Sequence, residues 1–191
     1  MLQNLPSVFG RALERVRPGP EALACKSRDV AGAATLDLVV TSPAFAEGGP
    51  IPRRYTADGE CLSPPLAWSD VPATARALVL LIEDADSPTP SPLVHCIALL
   101  AAGERRLDAG ALPCSARDGG AHRMGRNSFF SAHYLPPDPP PGHGPHRYAF
   151  EIFALVRFPA FERSPGRSRL LAELRGHVMA KGCLIGTYAR V

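Results

Sequence analysis

Six consecutive apolar residues, Ala77-Leu78-Val79-Leu80-Leu81-Ile82, leave no polar face and predict a central strand covered on both sides. That strand delivers Glu83, Asp84 and Asp86 to its end. Leu93 to Leu100 predicts a second buried strand with His95 near its start, and Tyr148 to Val156 predicts a third. A first strand is expected at Leu36 to Val40. Short apolar runs separated by turn residues are the pattern of a sandwich rather than of alternating βαβ units. From Ala101 to Arg126 the periodicity is weak and Gly and Arg recur, so a long surface excursion is expected. Leu170, Leu171, Leu174, Val178 and Met179 share one helical side, which predicts a helix over Ser168 to Cys183.

Residues 1–35 follow a different pattern and read as an N-terminal helical extension to a β domain over 36–191. Leu2, Leu5, Phe9, Ala12, Leu13 and Val16 recur at helical spacing beside Arg11, Arg15 and Arg17. Pro18-Gly19-Pro20 ends that helix, and a second short helical stretch is expected at Glu21 to Lys26. Two readings of the stripe stay open. It packs on its own domain or across a two-fold axis to make a homodimer, or it lies as a basic amphipathic helix on a membrane surface.

With 191 residues the chain suits one well-cored domain and an appendage. Its 21 prolines and 17 glycines favour many turns and an all-β body. A net charge of +3, with no dense basic stripe or interleaved aromatics, argues against nucleic acid as a partner. Cys25, Cys61, Cys96, Cys114 and Cys183 are odd in number and widely spaced, so reduced thiols are expected rather than a disulfide framework or zinc knuckle. No run of ~20 apolar residues and no signal-peptide pattern is present, so a cytoplasmic protein without a transmembrane segment is expected. Hydrolase-elbow, zincin and P-loop signatures are missing, which argues against an enzyme.

The chemistry concentrates in Pro141-Gly142-His143-Gly144-Pro145-His146-Arg147-Tyr148. Proline and glycine give this segment a stiff, non-helical path, and it runs straight into a strand. His146 and Tyr148 project on one side if the segment is extended. Imidazole N–H and phenol O–H groups suit an anion, while a carboxylate orients an imidazole or receives an amine. Each member also has a plainer reading. Asp84-Ala85-Asp86-Ser87-Pro88 is by itself a turn signal, and His95 alone reads as a core histidine. His143 and His146 with His95 and Asp84 could instead offer metal ligands. A loop so rich in proline needs no metal for order, so neither metal nor cofactor is expected.

Several motifs together resemble a known family. Thr41-Ser42-Pro43-Ala44-Phe45, Ile51-Pro52-Arg53-Arg54-Tyr55-Thr56, Leu62-Ser63-Pro64-Pro65-Leu66-Ala67-Trp68, Glu83-Asp84-Ala85-Asp86-Ser87-Pro88, Val94-His95 and Gly142-His143-Gly144-Pro145-His146-Arg147-Tyr148 come in the order seen in bacterial phosphatidylethanolamine-binding proteins of the Raf-kinase-inhibitor-like type. The resemblance covers roughly residues 38 to 191. It implies a Greek-key β-sandwich with a helix near the C-terminus. It further implies a small pocket lined by Asp84, His95, His146 and Tyr148, rimmed by Pro137, Pro139 and Pro140, that takes phosphate-like or phosphorylated head groups. Modulation of a partner, or inhibition of a kinase or protease with a vestigial pocket, is implied as well; a weak metal-assisted hydrolase is the remaining alternative. The chain departs from the family where Pro136 and Asp138 replace a glycine and a cysteine and where Leu93 replaces a tryptophan. Asp138 is expected to repel an anion.

Overall fold

The computed structural model describes residues 7–31, 36–115, 117–161 and 164–190. Among the described residues nine strands occur: β1 (Leu36–Asp37), β2 (Val40–Thr41), β3 (Leu66–Trp68), β4 (Ala77–Asp84), β5 (Leu93–Ala101), β6 (Arg106–Leu107), β7 (Arg123–Met124), β8 (His146–Leu155) and β9 (Val178–Tyr188). Three α-helices accompany them: α1 (Ser7–Leu13), α2 (Arg28–Ala31) and α3 (Arg167–Leu174). The larger sheet has the order β1-β9-β8-β4-β5-β7 and the smaller β2-β3-β6. The named strands pair antiparallel except β1 with β9. All eight residues of β4 are buried, because β5 and β8 flank it and both faces are covered.

Period-two alternation divides the large sheet between two cores. Leu78, Leu80, Ile82, Phe150 and Ile152 face the small sheet and meet Val40, Leu66 and Trp68 there. Val79, Leu81, Phe153 and Leu155 point the opposite way, against Leu170 and Leu174 of α3 and against Leu23, Cys25 and Val30. On this second face two carboxylates interrupt the apolar surface. Glu83 accepts from the Ala24 N–H (3.0 Å) and pairs with Arg167 (2.5 Å), while Glu151 accepts from the Cys25 N–H (2.7 Å). Burial, then the Glu83 charge, pushes the Glu151 carboxyl well above the usual carboxylate range.

Four expectations need correction. The first strand divides, with β1 joining the large sheet and β2 the small one. The short helical stretch at Glu21 to Lys26 is broken in two, as the 3-10 helices Pro20–Ala22 and Ala24–Lys26. The C-terminal helix stops at Leu174, since Gly176 turns the chain at a φ of 70°. Val178 and Met179, which share the helical stripe, belong instead to β9, because the open edge of β8 needs a strand to satisfy its buried backbone groups. Of the N-terminal stripe, Leu13 and Val16 are 43% and 44% exposed and do not pack on their own domain, whereas Gly10, off the stripe, is buried. A side chain at Gly10 would meet the Pro141 carbonyl, so α1 approaches the domain through its backbone. Leu2, Leu5 and the Phe9 side chain lie outside the described residues.

Candidate functional site

Three adjacent strands bring the polar residues together. Asp84 ends β4 opposite Tyr148 of β8 and Leu93 of β5, just past a bulge at Ile82/Glu83. His146 begins β8, and His95 sits two residues into β5. The loop before β8 is held in place by Gly142 and Gly144 at φ values of 79° and 86°, which favour glycine. Arg17 of the extension fastens the same loop from outside, donating to the His143 and Pro145 carbonyls.

Hydrogen-bond counting places the protons. The Leu13 carbonyl can only accept, so His143 Nε2, 2.9 Å away, carries a proton. Burial lowers the His143 pKa, partly opposed by that carbonyl, and in the neutral ring Nδ1 is an acceptor. His146 Nε2, 2.7 Å from it, therefore donates. His146 Nδ1 lies 2.7 Å from Asp84 Oδ2, and one proton joins the two. Both His146 nitrogens are thus engaged within the protein. The sequence reading of His146 as a free donor to an anion, or as a metal ligand beside His143, does not match this chain of bonds.

His95 differs. Its Nδ1 donates to the Leu135 carbonyl (2.7 Å), while Nε2 is buried without a hydrogen-bond partner. Burial lowers its pKa against the pull of Asp84, so the neutral ring offers a lone pair at Nε2. Its ring meets Tyr148 edge-on at 5.1 Å between centroids. The Tyr148 hydroxyl is also buried without a partner, and burial, then Asp84, pushes its pKa well up.

Asp84, His95 and His146 line a cavity of about 690 Å³, with Leu93, Asp138 and Pro140 among its walls. Tyr148 is 1% exposed and stands behind the lining. Pro137 and Pro139 do not line the cavity. Their carbonyls accept from the Ala57 N–H and from Arg190, both at 2.9 Å. Asp138 carries a counter-charge, for Arg190 lies 2.5 Å from it while also clasping Asp58 at 2.7 and 2.8 Å. Because one guanidinium is shared between two carboxylates, the repulsion expected of Asp138 is only partly offset.

Asp84 Oδ1 accepts from the Asp86 N–H at 2.8 Å, so the turn reading and the site reading of this segment hold together. Asp86 is fully buried; burial alone would raise its carboxyl, yet Arg147 and Arg17 hold it below the usual carboxylate range. No spacing rule could link Arg17 to Asp86. Glu83 and Glu151 did carry a signal, because a charge inside a strand buried on both faces has to find partners.

Comparison with known proteins gives concordant matches. The family model described as phosphatidylethanolamine-binding protein matches residues 41–189. A UPF0098 protein of Methanothermobacter thermautotrophicus is 37% identical over 153 residues, covering 77% of this chain and 95% of the relative. The crystal structure of CT736 from Chlamydia trachomatis, titled a putative phosphatidylethanolamine-binding protein homolog, superposes with a TM-score of 0.73 at 33% identity, covering 82% of this chain and all of that one. The Escherichia coli protein YbcL, titled a new member of the mammalian family, superposes with a TM-score of 0.72 at 25% identity, covering 81% and 99%.

Proposed function

The chain belongs to the phosphatidylethanolamine-binding protein family, and from that membership we propose a protein that binds small phosphate-like or zwitterionic phosphorylated ligands without transforming them. The observation that carries the reading is His95 Nε2, a buried lone pair with no partner at the wall of the cavity. Leaving such a group unsatisfied costs about 1 to 3 kcal/mol, which a ligand that brings a proton recovers. A monoprotonated phosphate or an ammonium group supplies that proton. Asp84 and Asp138, on the same walls, suit the ammonium end of a zwitterion.

The same membership implies Greek-key connections between the two sheets. Five free cysteines suit a reducing cytoplasm. Among the described residues no helix is long and apolar enough to cross a membrane. A second reading, inhibition of a kinase or protease through the surface, is favoured by Phe129 at the cavity mouth and Phe130 beside it, 57% and 82% exposed.

Calorimetric titration tests the first reading. Phosphoethanolamine is expected to bind one-to-one, to be displaced by inorganic phosphate, and to bind about tenfold or more weakly to His95→Leu. Absence of saturable binding by either ligand overturns it. Partner capture that persists in saturating phosphate supports the second reading instead.

A further inference from the structure

The face of the large sheet opposite the cavity holds a second convergence of reactive groups. Cys25 comes from the extension, Glu151 from β8 and Cys183 from β9, where it stands in register with Glu151. One ligand atom from each, two sulfurs and a carboxylate oxygen, lie within 4.8 Å of one another. Glu151 is fully buried and Cys25 is 6% exposed. The Glu151 Oε1 atom accepts from the Cys25 N–H, but Oε2 is buried with no hydrogen-bond partner. The neighbouring Glu83 offers no donor, since it is a like charge already held by Ala24 and Arg167. A buried carboxylate oxygen without a donor calls for a cation or a proton.

A cavity of about 710 Å³ reaches the cluster, lined by Cys25 and Cys183 together with Lys26 and Lys181. It gives an entry path and room for a fourth ligand. We propose that Cys25, Glu151 and Cys183 form a binding site for a zinc-class divalent cation, with water in the fourth position facing this cavity.

Two sulfurs and one oxygen suit a borderline-soft ion of tetrahedral habit and exclude the hard, oxygen-seeking calcium and magnesium. With metal–sulfur bonds of about 2.3 Å, a tetrahedron sets its sulfurs about 3.8 Å apart, so closure needs at most about 1 Å of side-chain movement from the 4.8 Å bound. The two thiol protons, together with the proton that burial holds on Glu151, leave to solvent as the ion enters. Two thiolates, a carboxylate and a divalent ion sum to one negative charge, which Lys26 and Lys181 offset from the cavity wall. Cys25 precedes the segment matched to the family, residues 41–189, so the ion fastens the extension to the sheet and is separate from the head-group cavity.

Cobalt titration of the full chain, stripped of metal and kept reduced with a phosphine, tests the site. One equivalent should give a thiolate-to-cobalt charge-transfer band and tetrahedral visible bands, both bleached by zinc. Cys183→Ser and Glu151→Gln should each weaken zinc binding by about 100-fold or more, judged by competition with a chromophoric chelator. Zinc should raise the unfolding temperature of the parent but not of Cys183→Ser. The double variant Cys61→Ser, Cys114→Ser should keep the cobalt spectrum. Near-UV circular dichroism of each metal-free variant checks the fold; if Glu151→Gln misfolds, Cys183→Ser decides. Three outcomes overturn the proposal: no cobalt spectrum in the reduced parent, a spectrum kept by Cys183→Ser and lost in the double variant, or peptide mapping that finds Cys25 joined to Cys183 in the isolated chain.

Discussion

His146 shows how a residue's role changes once its partners are counted. It links Asp84 to His143, so His146→Ala leaves two buried polar groups unpaired in addition to opening the cavity wall. A stability loss of about 2 to 4 kcal/mol is expected from denaturant unfolding, with weaker phosphoethanolamine binding because Asp84 loses its orienting partner. Unchanged stability would show that the bonds through His146 are dispensable. Asp86 makes a claim about pH. Its folded pKa is held below the unfolded value of about 3.9, so its contribution is complete above that value and drains away as pH falls through the folded one. Asp86→Asn should therefore lower stability by about 2 kcal/mol at neutral pH, with the gap to the parent closing only below pH ~4. A gap that widens toward acid, followed by thermal unfolding across pH 3 to 7, contradicts this assignment.

At the scale of elements, α1 is placed by what Gly10 lacks. Valine there would drive Cβ into the Pro141 carbonyl, lifting the helix and breaking the bond between Leu13 and His143. Amide exchange over residues 7–17 should quicken about five- to tenfold in Gly10→Val, the equivalent of about 1 to 1.4 kcal/mol, while β4 and β8 stay protected. Exchange that stays unchanged would mean the loop yields instead of the helix. The docking was illegible in the sequence, where the apolar stripe drew attention and a glycine gave none. β4, β5 and β8 were legible because burial on two faces leaves a long apolar run, broken in β5 by His95 and in β8 by Glu151 alone after Tyr148. β9 was not, since Leu174, Val178 and Met179 satisfy a helical period by chance and only the open edge of β8 decides between helix and strand. Among the site residues, Asp84, His95, His146 and Tyr148 were named through resemblance. The spent nitrogens of His146 and the ion pair of Asp138 depend on contacts far along the chain, which no local pattern encodes.

At the scale of the whole molecule, the described residues form two apolar cores on opposite faces of one sheet, and β4 and β8 belong to both. Cooperative unfolding as a single unit follows. Leu23→Ala, under the extension, and Leu80→Ala, between the sheets, should each cost about 2 to 5 kcal/mol and shift the same transition. A separate early transition in Leu23→Ala, seen by calorimetry, would mark residues 7–31 as an independent unit. The alternation along β8 also constrains inheritance. His146 and Tyr148 look toward one core and Glu151 toward the other. Descendants of this sequence can therefore exchange residues at the Asp84–His95 cavity one by one while the thiol–carboxylate cluster stays as it is, and the reverse. A one-residue insertion or deletion between Tyr148 and Glu151 is a different event, because it turns Glu151 toward the first core and swaps the surroundings of every residue beyond it. Length in this stretch of the gene is accordingly far less free to drift than the identity of any single codon.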